Sequence, residues 1–276
     1  MPPDEIILTI VNLSLIGLSL FVFVCFLTTG RLSEKHLRLG PTRDLHQPPL
    51  VYLIAIIGTS VYSLVMLTVV IEHALVMQLM LFNELLRLTL IALLVNRALH
   101  AEAGFRKVGL VPRWPVRDCA WGIGGGLVSL GLAGAVGMLI NFILAQLGHT
   151  IDSVAHESLQ QLRDEFSMEL LMGLIISAVI LAPLLEEILY RGIFQTSLLR
   201  VFRGRRWPAL IIASAVFAVI HLSVTPWHGL IMLFVVGLVF GYVYERTGSL
   251  LTPILAHAVF NAANIALLLS MPEQAS

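Results

Sequence analysis

Long apolar stretches alternate along this chain with short loops that hold most of its charge. Crossing about 30 Å of hydrocarbon takes about 20 helical residues. Apolar runs of that order lie at Ile6–Leu27, Leu50–Ile71, Leu75–Val95, Ala120–Leu147, Leu170–Leu199, Pro208–Leu222, Trp227–Tyr244 and Leu250–Leu269. An open strand cannot satisfy its backbone groups in lipid, so each run is expected to be a helix. The pattern predicts an all-α, polytopic membrane helix bundle with about eight transmembrane helices. The sixth run is short and the fifth long. No internal repeat, low-complexity tract or dividing linker is visible, so residues 1–276 read as a single membrane domain. The first run follows Asp4 and Glu5 rather than basic residues, is too long for a signal-peptide core and has no small-residue cleavage site. It reads as a retained anchor.

Composition agrees with this reading. Apolar residues make up 58% of the chain and charged residues 12%, with mean hydropathy +0.91, whereas a soluble domain carries about a quarter charged residues. A lipid bilayer is therefore the first partner implied. The formal net charge is zero, so the total implies no acidic or basic partner, nucleic acid included. The distribution of charge says more. Arg31, Lys35, Arg38 and Arg43 follow the first run, and Arg97, Arg106, Lys107, Arg113 and Arg117 follow the third. Arg200, Arg203, Arg205 and Arg206 end the fifth, and Arg246 follows the seventh. Only Arg87, Arg163 and Arg191 fall outside these alternate loops. Basic loops stay cytoplasmic, so both termini are expected outside the cytoplasm.

Three other features have structural readings. Cys25 and Cys119 are too few for a disulfide framework and lack thiolate-metal spacing. The segment Ile151–Phe166 places Ala155, Leu159, Leu162 and Phe166 on one helical face. It reads either as an amphipathic helix on the outer membrane surface or as an extension of the fifth span. Gly122, Gly124, Gly125 and Gly126 resemble a phosphate loop only superficially, since they open an apolar helix and follow no strand. With Gly131, Gly134 and Gly137 they suit close helix approach, as do Gly237 and Gly241 with their small-xxx-small spacing.

Ionisable groups inside the spans are the candidate chemistry, because a charge at the bilayer centre costs at least ~2.5–3.5 kcal/mol. In the fifth span, Glu187 and Arg191 are four residues apart and stack on one helical face as an ion pair. Glu186 projects about 100° away from that pair, a placement that suits a general base. His221 ends the sixth span, with Phe217 one turn before it. In the eighth, His257 and Asn261 share a face at i,i+4, and Asn264 extends the same polar stripe. Taken singly, each group also fits a packing role. Counting rise along each helix puts Glu186, His221, His257 and Asn261 about 10–20 Å from the cytoplasmic side of the core. A shared depth predicts a buried polar cavity.

The order Glu-Glu-x-x-x-Arg, Phe-x-x-x-His, His-x-x-x-Asn resembles the CPBP (CAAX prenyl protease-like, or Abi) family of intramembrane peptidases. The run Arg246-Thr247-Gly248-Ser249-Leu250 leading to Pro253 resembles that family's approach to its last motif. The resemblance covers about residues 168–270, a catalytic core, and leaves 1–167 less diagnostic. It implies water-dependent hydrolysis of a peptide or membrane-protein substrate. Glu186 and His221 would activate water, and His257 and Asn261 would donate to the oxyanion, with Glu187, Arg191 and Phe217 in support. The family has been described both as glutamate peptidases and as metalloproteases. A divalent metal such as zinc would fall to Glu186, His221 and His257. The His-Glu-x-x-His signature of zincins is absent, as is a rhomboid-type Gly-x-Ser-Gly motif. The alternative is a non-catalytic membrane scaffold or bacteriocin-immunity-like protein of the same fold. A transporter would instead call for repeated halves or discontinuous helices around a midplane site. The charge pattern suits a plasma membrane. Bacteria generally lack CAAX-prenylated proteins, so a bacterial member would cleave another peptide or membrane protein.

Overall fold

A computed structural model describes residues 3–37, scattered positions from 50 to 61, residues 109–110, 114–149, 168–223 and 225–270. The second and third expected spans, apart from a few helical positions between 50 and 61, and the segment 151–166 lie outside the described residues. All regular structure among the described residues is helical. The helices are α1 (Pro3–Thr28), α2 (Glu34–Leu37), α3 (Pro115–Gln146), a composite rod α4 from Met168 to Val201, α5 (Arg206–Ile220), α6 (Trp227–Thr247) and α7 (Leu251–Leu269).

Three of these helices are long and apolar enough to cross a membrane, over Thr9–Thr28, Pro115–Gln146 and Trp227–Thr247. The sixth and eighth expected spans form the shorter apolar helices Arg206–Ile220 and Leu251–Leu267. The fifth is helical throughout but not uniformly α. Its α segments Met168–Ile176, Ala182–Glu187 and Thr196–Val201 alternate with π segments Ser177–Leu181 and Ile188–Gln195. α3 starts five residues before the expected Ala120, because Pro115 occupies the first turn, where a missing N–H costs nothing. α6 ends where Gly248 turns left-handed at φ 72° and returns its N–H to Tyr244 O at 2.8 Å.

α4 is the central element: every residue from Leu185 to Ser197 is buried, and α5, α6 and α7 pack around it. α1 is peripheral and turns Ile7, Ile10, Val11, Phe21 and Val24 outward. α3 does the same with Met138, Leu139 and Phe142. Such continuous apolar surface is unfavourable in water and natural in lipid, and the chain is membrane-associated on this evidence.

Small residues let the helices close. A Cβ on Gly122 would meet Leu255 Cβ at 2.7 Å and Thr252 O at 2.9 Å. One on Gly126 would meet Val259 Cβ at 2.7 Å and Ala256 O at 2.8 Å. Gly122 and Gly126 thus form the groove that seats α7 on α3, while Gly131 receives Ser19 of α1. Gly124, in the same helix, has nothing within 4 Å. Alanine gains up to about 1 kcal/mol over glycine in helix propensity at any of these positions, so environment alone separates them. Gly126→Ala should lower the thermal midpoint in detergent, and Gly124→Ala should leave it level or raise it. Equal shifts would remove the packing role.

α2 and the turn before it lock the end of the bundle where α5 begins and α6 ends. Glu34 accepts the backbone N–H groups of Arg206 (3.0 Å) and Trp207 (3.1 Å) at the start of α5, where exposed amides favour an anion. Trp207 Nε1 donates to Leu32 O at 2.7 Å, and Arg246 Nη1 to His36 O at 2.9 Å. Beneath them Arg206 pairs with buried Glu245, whose other oxygen accepts from Gln195 Nε2 at 2.9 Å. α4, α5 and α6 are thereby tied at this end by charge as well as by shape.

Candidate active site

Two adjacent carboxylates leave α4 in different directions, and each meets a histidine from another helix. Glu186 is 8% exposed, and its Oε2 stands 3.9 Å from Nε2 of His221. His221 caps the C-terminal end of α5, and its Nδ1 lies 2.7 Å from Phe217 O. A carbonyl only accepts, so Nδ1 carries the hydrogen. In the neutral ring that leaves Nε2 as an acceptor facing Glu186.

Glu187 is fully buried. Its Oε1 accepts from Arg191 Nη1 at 3.3 Å and faces His257 Nδ1 at 3.0 Å. Arg191, also fully buried, gives Nη2 to Gly237 O at 3.1 Å, and its guanidinium lies 4.7 Å from the Phe217 ring centroid and 5.7 Å from that of Phe240. Nothing larger than hydrogen fits freely at Gly237, where a Cβ would lie 3.1 Å from Ser214 Cβ and 3.4 Å from Arg191 Nη2. Glu187 and Arg191 therefore reach further than the intrahelical pair that their spacing predicts. They hold an imidazole on α7 and a carbonyl on α6.

Phe217 joins the two halves of the site. Its ring centroid is 4.9 Å from that of His221 and 5.8 Å from that of His257. Phe240 stacks on the other side of His257 at 5.0 Å and 29°. The expected gathering is thus a pair of pairs, Glu186 with His221 and Glu187 with His257, with one aromatic ring against both imidazoles. Asn261, expected as an oxyanion donor beside His257, gives Nδ2 to Ala178 O at 2.7 Å. Asn264 turns back to Phe260 O on its own helix at 2.8 Å, so the polar stripe ends at Asn261.

The suggested metal set does not assemble. Among the described residues no group of three His, Cys, Asp or Glu side chains has the arrangement to hold an ion. Nδ1 of His221 and of His257 are each turned to another partner. Nε2 of each ring is the nitrogen left for a ligand, but Glu186 lies beside His221 while His257 sits against Glu187, so the three suggested ligands are not grouped in this arrangement.

Phe240, Gly237, Ala178 and Pro183 were not legible as site residues. Phe240 falls between Gly237 and Gly241, which set α6 against α4 and α5, while its own ring stacks on His257 of α7. Pro183 precedes Glu186 by three residues, a proline inside a helix that signals a broken backbone ladder.

Comparison with known proteins gives partial matches. A stretch of 87 residues is 39% identical to an uncharacterized 24.3 kDa protein of Escherichia coli, covering 30% of this chain and 38% of that protein. Over 89 residues the chain is 33% identical to the uncharacterized protein YpbD of Bacillus subtilis (strain 168), covering 32% of this chain and 42% of that one. The matches thus span about two fifths of the length of these curated relatives. No solved structure matches the chain. Glu186, Glu187, Arg191, Phe217, His221, His257 and Asn261 all fall within residues 168–263, and that segment matches the family described as type II CAAX prenyl endopeptidase Rce1-like.

Proposed function

We propose that this chain is an intramembrane endopeptidase that hydrolyses a peptide bond with a water activated by Glu186 and His221. The observation that carries this reading is the 3.9 Å gap between Glu186 Oε2 and His221 Nε2. It is too long for a direct hydrogen bond, and one water about 2.8 Å from each would bridge it. Both groups are acceptors in the neutral tautomer described above. The water gives one O–H to each, and its lone pairs point away from both toward a substrate carbonyl.

As the oxygen bonds to the carbonyl carbon, Glu186 takes a proton and later delivers it to the departing amide nitrogen. His257 stabilises the oxyanion from Nε2. Because Nδ1 faces Glu187 Oε1 at 3.0 Å, that role requires the Glu187–His257 pair to hold two protons, one between them and one on Nε2. A preorganised oxyanion donor contributes about 2.7–4 kcal/mol in a known protease.

The match to a prenyl endopeptidase family and the apolar helices support a peptide or membrane protein as substrate, reaching the site from the bilayer. The charge pattern supports a topology with both termini outside the cytoplasm. The test is a comparison of peptides released by membranes carrying the wild-type chain and the Glu186→Gln chain. A set released only by the wild type supports the peptidase. No difference favours a non-catalytic scaffold.

A further inference from the structure

The carbonyl that Asn261 holds is one that α4 cannot satisfy by itself. Ala182 N–H donates to Ser177 O, five residues back, which sets a π register just before the glutamates. In that register the next donor, for Ala178 O, is residue 183. Residue 183 is proline and has no N–H. An α register fares no better, since it would leave Val179 O facing the same proline. A backbone carbonyl without a donor is costly in an apolar interior, where no bulk water replaces the lost bond. Asn261 Nδ2 fills the gap at 2.7 Å.

The placement of this bond ties two helices together. Ala178 lies eight residues before Glu186 on α4, and Asn261 lies one turn after His257 on α7. A second bond between the same helices joins His257 Nδ1 to Glu187 Oε1 at 3.0 Å. Attachment at two points sets both the shift and the rotation of α7 against α4. One bond would fix a single point and leave the rest of the α4–α7 alignment to apolar packing.

We propose that Asn261 is a positioning residue, whose amide closes the backbone gap opened by Pro183 and thereby sets His257 relative to Glu186. The proposal rests on the peptidase reading above. It differs from an oxyanion role for Asn261 in what the residue must touch: a backbone carbonyl of the resting protein rather than the reacting atoms.

A double-mutant cycle between positions 183 and 261 tests it, on purified full-length protein in detergent and in liposomes. Pro183→Ala restores an N–H that can close on Ala178 O. In the wild-type background, Asn261→Ala should lower kcat at least tenfold and lower the thermal midpoint. In the Pro183→Ala background the same change should cost less than threefold in kcat and leave the midpoint nearly unmoved. Equal losses of kcat in both backgrounds, with no change in either midpoint, would overturn the proposal and return Asn261 to the oxyanion. Pro183→Gly supplies the same N–H if the alanine variant does not accumulate. Should neither fold, the wild-type background still decides. Asn261→Leu keeps bulk and adds no charge but cannot donate, so it should lower the midpoint by leaving Ala178 O without a donor, whereas loss of an oxyanion donor alone would leave the midpoint in place. Failure of the peptidase reading is separate, since it shows as turnover retained by Glu186→Gln.

Discussion

Replacing Glu186 by Gln is expected to remove peptide release while the protein still folds. The general-base contribution to enzymatic proton transfer is about 10²–10⁴-fold, and a carboxamide cannot accept the proton. Gln has nearly the volume of Glu, so packing against the His221 ring should persist. Its amide nitrogen, however, can donate to His221 Nε2 and would occupy the acceptor that orients the water. The measurement is the rate of product appearance by mass spectrometry, with the thermal midpoint taken alongside. A drop of less than tenfold with an unchanged product pattern would exclude Glu186 as the base. A collapse of the midpoint would instead mark it as structural.

The second large effect is on stability. Arg191→Met leaves the fully buried Glu187 carboxylate with only His257 of its two partners. Breaking a buried pair from one side costs about 3–5 kcal/mol, because the remaining charge stays desolvated. The variant also loses the bond to Gly237 O and the guanidinium contact with Phe217. Lysine at 191 keeps the charge but not the planar fork that reaches Glu187 and Gly237 together, so Arg191→Lys should fall between. Adding Glu187→Gln to Arg191→Met should recover part of the loss, since it removes the stranded charge. It should not recover cleavage, because His257 no longer faces a carboxylate. Denaturant unfolding in mixed micelles reads the stability term. A loss under about 1 kcal/mol for Arg191→Met would mean that water or another group already solvates Glu187.

Much of this site could be read along the chain because it depends on local spacing. The i,i+4 interval of Glu187 and Arg191 puts them on one face of any helix, and the pair forms. The glycines at 122 and 126 leave a groove in any apolar helix, and α7 fills it. The three polar motifs are expected at similar depths because each sits at a countable distance from a span end. Hydropathy located the spans of α5 and α7 to within two residues: Arg206–Ile220 against the expected Pro208–Leu222, and Leu251–Leu269 against Leu250–Leu269. Hydropathy marks where apolar residues continue, while the helix stops where its backbone turns, as at His221.

Sequence by itself determined the helical class, the membrane setting and the identity of the ionisable groups, because these follow from apolar length, charge density and residue spacing. Only the tertiary structure decided which acid meets which imidazole. Glu186 and Glu187 differ by about 100° about α4, and the absolute rotation of that helix is set by packing against α5, α6 and α7. The partner of Asn261 was beyond reach of the sequence for a related reason. Every residue carries the same carbonyl, and Ala178 becomes distinctive only when a proline five residues later leaves it without a donor and α7 lies close enough to supply one.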